Sequence, residues 1–262
     1  MSKAGCQGCR NAKPLPFDFT MAFQPIVDVS QNRIWGYEAL VRGSEGQGAG
    51  WVLDQVDEES RYKFDQACRV RAIELAGSLF PDSDKRLSIN FMPNAVYEPA
   101  ACIRATLEAA HRVGFANRQL MFEFTENERM LDVGHVQRIV TEYRKQGFLT
   151  ALDDFGAGYA GLNLLASFQP DLIKLDMELI RGIATSSARQ VIVAGVVGIA
   201  RELEITILAE GVETDAELMA LRAAGIRLFQ GYLFAKPTVA ALPPVRFSAS
   251  CPAALVEATK AA

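Results

Sequence analysis

The sequence predicts an α/β protein in which strands and helices alternate around one parallel sheet. Short apolar runs typical of buried strands recur roughly every 20 to 36 residues, which is enough chain for a strand, a loop, a helix and a return loop. Each run ends in a polar residue, and helical patterns lie between the runs. The 262-residue chain is 50% hydrophobic, enough for one large core, and α/β barrels of about this length are usually single domains.

The strand-like runs and the helical patterns follow one another in a regular order. Six runs span residues 87–90, 120–123, 149–153, 172–174, 205–210 and 227–230. The helical patterns cover residues 64–80, 95–113, 132–146, 190–203 and 215–224. In the last of these, Thr214 and Glu217 form a capping box and Gly225 follows the final turn, so both helix ends are marked. This order predicts consecutive βα units.

The two ends of the chain differ from its middle. Residues 1–18 show no periodicity and are expected to form an N-terminal tail, residues 19–245 the folded domain, and residues 246–262, rich in Ala, a C-terminal tail. Cys6 and Cys9 form a CxxC motif in the first tail. A zinc site usually needs two more ligands and no nearby pair of Cys or His exists, which favours an exposed, flexible thiol pair. A bridging or redox role is the alternative.

Composition excludes several classes of function. A net charge of -4 argues against binding DNA, RNA or an acidic membrane surface by broad electrostatic attraction. The five cysteines are odd in number and scattered, and the N-terminus carries no signal-like apolar segment, so we expect a reduced, cytoplasmic protein. The longest apolar stretch, residues 191–200, is too short to span a bilayer, and no transmembrane segment is expected.

The polar residues at the run ends predict one acidic site. In parallel α/β folds the βα loops converge at the carboxyl ends of the strands, so residues placed there are expected to lie together. Carboxylates crowded in this way repel one another unless cations bind between them. The expected members are Glu38, Asn90, Glu123, Asp153, Asp154, Lys174, Glu210 and Gln230.

The scarcity of histidine indicates which ion the site favours. The chain has two histidines, His111 and His135, and both lie in predicted helices away from the run ends, which argues against a histidine-based zinc site. Carboxylate and amide oxygens favour Mg²⁺ or Mn²⁺, while Ca²⁺ binds the same ligands but suits the chemistry less well. Two ions about 4 Å apart suit in-line displacement at phosphorus. Considered one at a time, these residues have alternative interpretations: Asp154 as a helix cap and Lys174 as a surface lysine.

Seven motifs in a fixed order resemble one family. They are Gln24-Pro25-Ile26, Tyr37-Glu38-Ala39-Leu40-Val41-Arg42, Glu123-Phe124-Thr125-Glu126, Asp153-Asp154-Phe155-Gly156, Lys174-Leu175-Asp176, Ala209-Glu210-Gly211-Val212-Glu213 and Gln230-Gly231-Tyr232. Over about residues 19–240 the chain resembles the EAL domain of bacterial cyclic di-GMP phosphodiesterases. The resemblance implies a modified TIM (βα)8 barrel. It also implies hydrolysis of cyclic di-GMP to linear pGpG by water that two Mg²⁺ or Mn²⁺ ions activate, with Ca²⁺ inhibiting.

The resemblance assigns a role to each motif residue. It implies that the first metal ion is bound by Glu38, Asn90, Glu123 and Asp153. Asp153 would bridge to a second ion held by Asp154 and Glu210. Lys174 would hold or polarise the attacking water, Gln230 would support the water network, Glu126 would anchor the loop after Asp153, and Glu213 would steady the side of the second ion. The implied catalytic residues are Glu38, Lys174, Glu210, Glu126 and Gln230, and the implied substrate-binding residues are Arg42, Gln24, Leu40 and Asp176.

Small departures from the family pattern leave alternatives open. Ala157 and Ala160 stand where members often carry Thr and Ser, and Gly43 stands where an aromatic residue often follows the motif arginine. One alternative is a non-catalytic EAL module that binds cyclic di-GMP as a receptor or regulates a protein partner. Another acid-lined TIM-barrel enzyme using Mg²⁺, such as one that enolises carboxylates, fits the spacing but not the motif order.

Family analogy also implies partners. EAL domains commonly form homodimers, and the helix after Lys174 together with the loop after Asp153 is the expected place for coupling between the dimer and the site. About twenty residues precede the expected barrel, which leaves no room for a sensory domain, so we expect regulation by a separate protein, by expression or by the dimer state.

Overall fold

The computed structural model describes residues 15–80, 84–125, 133–158 and 161–247. Four residues that the sequence singles out, Cys6, Cys9, Glu126 and Ala160, lie outside the described residues, as does most of the expected C-terminal tail.

Strands and helices alternate along most of the described chain. The strands are β1 (Phe19–Asp28), β2 (Arg33–Gly43), β3 (Arg86–Asn90), β4 (Leu120–Thr125), β5 (Leu149–Phe155), β6 (Leu172–Leu175), β7 (Thr206–Ala209), β8 (Leu228–Phe229) and β9 (Thr238–Val239). The α-helices are α1 (Ala49–Leu53), α2 (Arg61–Leu79), α3 (Pro99–Cys102), α4 (Arg104–Val113), α5 (Val133–Lys145), α6 (Gly161–Ser167), α7 (Met177–Ile180), α8 (Ser187–Glu202) and α9 (Asp215–Ala223). Short 3-10 turns occupy Pro93–Ala95, Asn117–Gln119 and Ile183–Thr185.

The first eight strands close into a barrel. From β2 to β8 each strand is parallel to the next, and β1 closes the ring by pairing antiparallel with both β2 and β8. The strand β9 adds to β1 outside the ring. The predicted α/β class and the modified (βα)8 barrel are confirmed, and the inverted strand β1 is the modification.

Apolar side chains fill the lower half of the barrel. One cluster of buried residues draws a member from nearly every strand: Ile26, Trp35, Met121, Ala151, Leu172, Leu208 and Leu228. A much larger apolar cluster packs the helices against the outside of the strands. Because side chains two positions apart point to the same side of a strand, Glu123 lies inside the barrel above Met121, and Lys174 lies above Leu172. The polar layer therefore rests on an apolar floor.

The position of Glu38 depends on an irregularity in β2. Ile26 pairs with Gly36, while Val27 pairs with Ile34, so Trp35 is an extra residue that forms a β-bulge. The bulge changes the alternation of the strand, and Trp35 and Glu38, three positions apart, both contribute buried side chains to the barrel. Strict alternation would have separated these two residues.

One predicted helix is wrong in its extent. The range 95–113 contains only the last residue of the 3-10 turn, followed by the two separate helices α3 and α4, and Pro99 is the first residue of α3. Proline has no amide hydrogen to donate and restricts the residue before it, so Glu98 is extended and a continuous helix cannot cross this point. His111 and His135 lie in α4 and α5 as predicted. No helix in the described part of the chain is both long and apolar enough to cross a membrane.

Candidate active site

Four carboxylates surround one buried lysine at the carboxyl ends of the strands. The Nζ of Lys174 lies 2.7 Å from an oxygen of Glu123 and 2.7 Å from one of Glu210. It lies 3.2 Å from Asp153 and 3.5 Å from Glu38. We call these five residues the acidic cluster. Lys174 is 1% exposed, so its interpretation as a surface lysine is wrong.

Amide side chains hold Glu38 from two sides. Asn90 donates from Nδ2 to Glu38 Oε1 over 2.9 Å, and Gln230 donates from Nε2 to Glu38 Oε2 over 2.6 Å. Gln230 also donates to Gln24 Oε1 at 3.1 Å, and Gln24 donates to the carbonyl of Ala235 at 3.2 Å. Gln24, Asn90 and Gln230 therefore contact the acidic cluster directly or through one another.

Ser88 is a member of the site that sequence reasoning missed. Its hydroxyl donates a short hydrogen bond to Glu123 Oε1, and its side chain is buried. The signal was present in the sequence, because Ser88 precedes Asn90 by two positions on the same strand and so faces the same side.

The cluster holds four carboxyl groups around a single lysine. Burial, the largest effect, raises the pKa of Glu123 and of Glu210, and the Lys174 ammonium opposes this only in part. Burial by itself lowers the pKa of Lys174, but the fields of Asp153, Glu123 and Glu210 outweigh it, and the pKa of Lys174 is raised. Lys174 is therefore an ammonium at neutral pH, and the surplus of carboxylates favours binding of further cations.

Asp154 lies at the rim of the cluster in an unusual backbone conformation. Its φ is 54°, a left-handed value that a residue other than glycine seldom adopts, and its amide donates to Asp153 Oδ1 at 2.9 Å. Burial, together with the carboxylates of Asp153 and Asp176, raises the pKa of Asp154 to about 6. Strained backbone is concentrated at functional sites, which supports a role for this turn. Among the described residues, no hydrogen bond to the Asp154 side chain supports its alternative interpretation as a helix cap.

The donors fit hard divalent cations. Oxygens of Glu38, Glu123 and Asp153 lie within 4.8 Å of one another, so one ion can contact all three. Lys174 Nζ sits among these oxygens as a cation would. In the described part of the chain, Gln230 Oε1 is buried with no hydrogen-bond partner, so it is a free acceptor beside Glu38 for an ordered water. An all-oxygen donor set of this kind suits Mg²⁺, Mn²⁺ or Ca²⁺ rather than Zn²⁺.

A cleft opens beside the acidic cluster. Its volume is about 790 Å³, and its walls include Glu38, Leu40, Asn90, Asp153 and Arg61. This volume lies within the range of small-molecule sites. Apolar side chains from α1, α2 and the loop after β3 form much of the remaining wall. The cleft therefore joins a polar floor that suits ions to a more apolar arm.

The predicted substrate-binding residues differ in their positions. Leu40 lines the cleft, as its place on the Glu38 side of β2 requires. Arg42 is half-buried, and its guanidinium donates to the carbonyl of Val41 at 2.7 Å. Asp176 caps α7, accepting the amide of Glu178 at 2.7 Å.

The loop after Glu210 is held by a residue other than the one predicted. The Glu213 side chain is 48% exposed and accepts from Arg181 at 3.2 Å, on the outside of the molecule. Glu217 is buried instead and accepts from the backbone amides of Gly182, Glu213 and Thr214, each at 3.2 Å. The capping box predicted the bond to Thr214. The bond to Gly182, 35 positions away, required the folded chain.

A barrel with an acidic cluster at this end of its strands matches one family of domains. The family model described as EAL domain matches residues 16–237, and the chain belongs to that family. The matched range includes the Glu38-Ala39-Leu40 motif.

Two curated relatives carry different names. The chain is 34% identical over 224 residues to the blue light- and temperature-regulated antirepressor BluF of Escherichia coli, covering 86% of this chain and 55% of that protein. It is 29% identical over 229 residues to the cyclic di-GMP phosphodiesterase NbdA of Pseudomonas aeruginosa, covering 82% of this chain and 28% of that protein. The chain thus spans about half the length of the first relative and less of the second.

Solved structures share the fold closely. A standalone EAL protein from Vibrio cholerae, solved in a c-di-GMP-bound form, is 54% identical with a TM-score of 0.85, covering 89% of this chain and 98% of that one. BlrP1 of Klebsiella pneumoniae, solved as a calcium and c-di-GMP complex, is 36% identical with a TM-score of 0.82, covering 94% of this chain and 60% of that one. A manganese and c-di-GMP complex of BlrP1 has a TM-score of 0.81.

Proposed function

We propose that this EAL domain is a cyclic di-GMP-specific phosphodiesterase that hydrolyses one phosphodiester to give linear pGpG. The observation that carries the proposal is the complete acidic cluster, with its buried lysine, at the carboxyl ends of the barrel strands. NbdA, which bears the name of this activity, and the c-di-GMP-bound Vibrio structure support the choice of substrate.

The cofactors in this proposal are two Mg²⁺ or Mn²⁺ ions. Glu38, Asn90, Glu123 and Asp153 would hold the first ion, and Asp153, Asp154 and Glu210 would hold the second. When bound, such ions supply Lewis-acid stabilisation of charge on a phosphate and lower the pKa of water. The calcium and manganese complexes of BlrP1 support divalent ions as ligands of this domain.

The side chains of the chain prepare the reaction around these ions. Lys174, buried and charged, holds the attacking water and stabilises negative charge that develops on the phosphate oxygens. Gln230 anchors Glu38 through its amide hydrogen and accepts from an ordered water through its free oxygen. Arg42 and Leu40, both on the Glu38 side of β2, contact a substrate phosphate and the cleft-bound part of the dinucleotide. Gln24 and Asp176 complete the proposed substrate contacts, and Glu126 is proposed to anchor the loop after Asp153.

Hydrolysis of cyclic di-GMP by the purified protein tests the proposal. With Mg²⁺ or Mn²⁺ the protein is expected to form pGpG, and Glu38→Ala is expected to abolish turnover. Ca²⁺ should inhibit. A matched control is Glu74→Ala, because Glu74 is a partly exposed glutamate paired with Arg112 on an outer helix. Intact cyclic di-GMP after long incubation with either metal would refute the proposed activity.

A second candidate function has two observations in its favour. BluF, 34% identical to this chain, is named an antirepressor and not a phosphodiesterase. Ala157, in the loop after the two aspartates, also departs from the hydroxyl-bearing pattern. A non-catalytic receptor or regulator of this kind would bind cyclic di-GMP without turnover, and its complex with a protein partner would survive Glu38→Ala.

We also propose a homodimer that a separate regulatory protein controls. The helix α8 presents an apolar face in which Val191 is 71%, Ile192 52% and Ile199 41% exposed, and such faces mark interaction sites. A dimer by light scattering that Val191→Glu converts to a monomer would support this. A fully active monomer would count against it. The limits of the domain, 19–245, and a cytoplasmic location remain predictions.

A further inference from the structure

We infer that α7 is a spacer that sets the separation between the loops of Asp154 and Glu210, with Met177 and Leu179 as positioning residues. The inference rests on the proposed function, because these two loops carry the proposed ligands of the second ion. It assigns a positioning task to this four-residue helix.

Two glycines allow the two loops to approach this helix closely. Gly211, directly after Glu210, has a φ of 63°, and a Cβ placed on it would lie 2.6 Å from Met177 Cβ. Gly156, two residues after Asp154, has a φ of 101°, and a Cβ there would lie 3.1 Å from Leu179 Cδ2. Both positions combine a left-handed backbone with close approach to another side chain, so glycine is required at each. The two loops therefore contact the same helix.

Hydrogen bonds hold α7 firmly at both ends. An isolated helix of four residues is unstable in water, so its geometry must come from its neighbours. Asp176 accepts the amide of Glu178 at 2.7 Å, and the backbone amide of Asp176 donates to the carbonyl of Phe155 at 3.2 Å. At the other end, Arg189 of α8 donates to the carbonyls of Glu178 and Leu179. These contacts make α7 a rigid element rather than a mobile turn.

The chain after α7 is joined to the Glu210 loop as well. Gly182 donates to one oxygen of Glu217, and the other oxygen of Glu217 accepts from Glu213. The amide of Glu210 itself donates to the carbonyl of Leu175, one residue before the Asp176 cap, at 3.2 Å. The strand β6 leads into α7 and lies between β5 and β7, the strands that precede the two loops. A shift of α7 therefore changes the distance between Asp154 and Glu210, the two proposed ligands.

The geometry predicts the effect of adding one methyl group. In Gly211→Ala, a contact of 2.6 Å must open to about 3.6 Å, a displacement of roughly 1 Å. Mg²⁺ and Mn²⁺ require ligands near ideal positions, and misplacement by about 1 Å is enough for large losses. We expect affinity for the second Mn²⁺ to fall at least ~10-fold and affinity for the first to change less than ~2-fold.

Titration calorimetry with Mn²⁺ on the whole chain measures both sites without turnover. The wild type is expected to bind two ions and Gly211→Ala one at the original affinity. Gly114→Ala is the matched control, because Gly114 has a similar φ of 75° but open space around its Cβ position, at the end of α4. It should keep both sites.

A second substitution separates the side-chain contact from backbone strain. In Gly211→Ala with Met177→Gly, the nearest remaining atom is Met177 Cα at 3.6 Å, so the second site should return. In Gly211→Ala with Met177→Ala the offending Cβ remains, and the second site should stay lost. Equal rescue by both, or equal loss in Gly114→Ala, would overturn the inference.

The contact with Gly156 gives a test that leaves every glycine in place. Leu179→Ala should weaken the second Mn²⁺ about 3- to 10-fold and leave the first unchanged. Leu107→Ala removes an equally half-buried leucine from α4 and should leave both sites intact. A wild type that binds fewer than two ions, or an unchanged second site in both Gly211→Ala and Leu179→Ala, would overturn the inference. Two well-separated binding steps without hydrolysis of cyclic di-GMP would instead refute the proposed activity alone.

Discussion

Lys174→Met replaces the ammonium of the acidic cluster by an apolar side chain of similar length. Breaking a buried ion pair by removing one partner destabilises a protein by about 3–5 kcal/mol, and Lys174 Nζ lies within 3.5 Å of four carboxylates. For a domain of this size about 1 kcal/mol moves Tm by roughly 2–4 °C, so Tm of the metal-free protein should fall by roughly 6–20 °C at pH 8.

The pH dependence of this loss has a definite sign. Without the ammonium, the pKa of Glu123 and that of Glu210 rise further, since Lys174 lowers both. An acid whose pKa is raised by folding destabilises the native state only when it ionises, so the deficit grows from acidic pH towards pH 8. Bound Mn²⁺ replaces the missing positive charge and should shrink the deficit.

Thermal unfolding measures the deficit, in chelator and in Mn²⁺, at pH 5 and at pH 8. Lys145→Met is the matched control, because Lys145 is 67% exposed and pairs weakly with Glu142 at the surface. It should leave Tm unchanged. A Lys174→Met protein as stable as the wild type at pH 8 without metal would refute the reasoning.

Three further predictions concern buried charge. Asp154→Asn removes a carboxylate whose pKa is raised to about 6, and asparagine also tolerates the left-handed backbone at this position. The substitution should stabilise the metal-free protein by ~1 kcal/mol at pH 8, with no gain near pH 4. It should also lower the affinity for Mn²⁺ measured by calorimetry. Unchanged stability at pH 8 would contradict this. The affinity of the wild type for Mn²⁺ should fall as the pH drops through about 6, because binding releases protons. Calorimetric titrations in two buffers of different ionisation enthalpy detect this proton release. An affinity that does not depend on pH would argue against the prediction. Arg69→Met should lower stability by about 3–5 kcal/mol in urea unfolding, because Arg69 is fully buried and Asp65, at 3% exposure, would lose the cation that it pairs with. The exposed Arg112, replaced in the same way, should show no measurable loss, and equal losses in the two variants would show the argument from burial to be mistaken.

Local patterns predicted much of this barrel. The sequence alone predicts that Met121 lies below Glu123 and Leu172 below Lys174, because side chains two positions apart in a strand point to the same side. The capping box at Thr214 depends on residues three positions apart, and α9 begins where the box predicts. The scarcity of histidine likewise pointed to an oxygen-ligand site before any fold was known.

Other features depended on contacts between distant parts of the chain. One missed boundary was instead local, because Pro99 sets the start of α3 and the apolar spacing concealed this signal. The bulge at Trp35 follows from the register of β1 against β2, which the letters of either strand do not reveal.

The sequence by itself determined the barrel class and the residue types of the acidic cluster, because periodicity and composition act over a few neighbouring residues. Only the tertiary structure decided that Lys174 lies at the centre of four carboxylates and that Ser88 and Glu217 support the site. It also decided that α7 separates the loops of Asp154 and Glu210. These relations join residues tens of positions apart, and closure of the barrel is what brings their side chains within a few ångströms of one another.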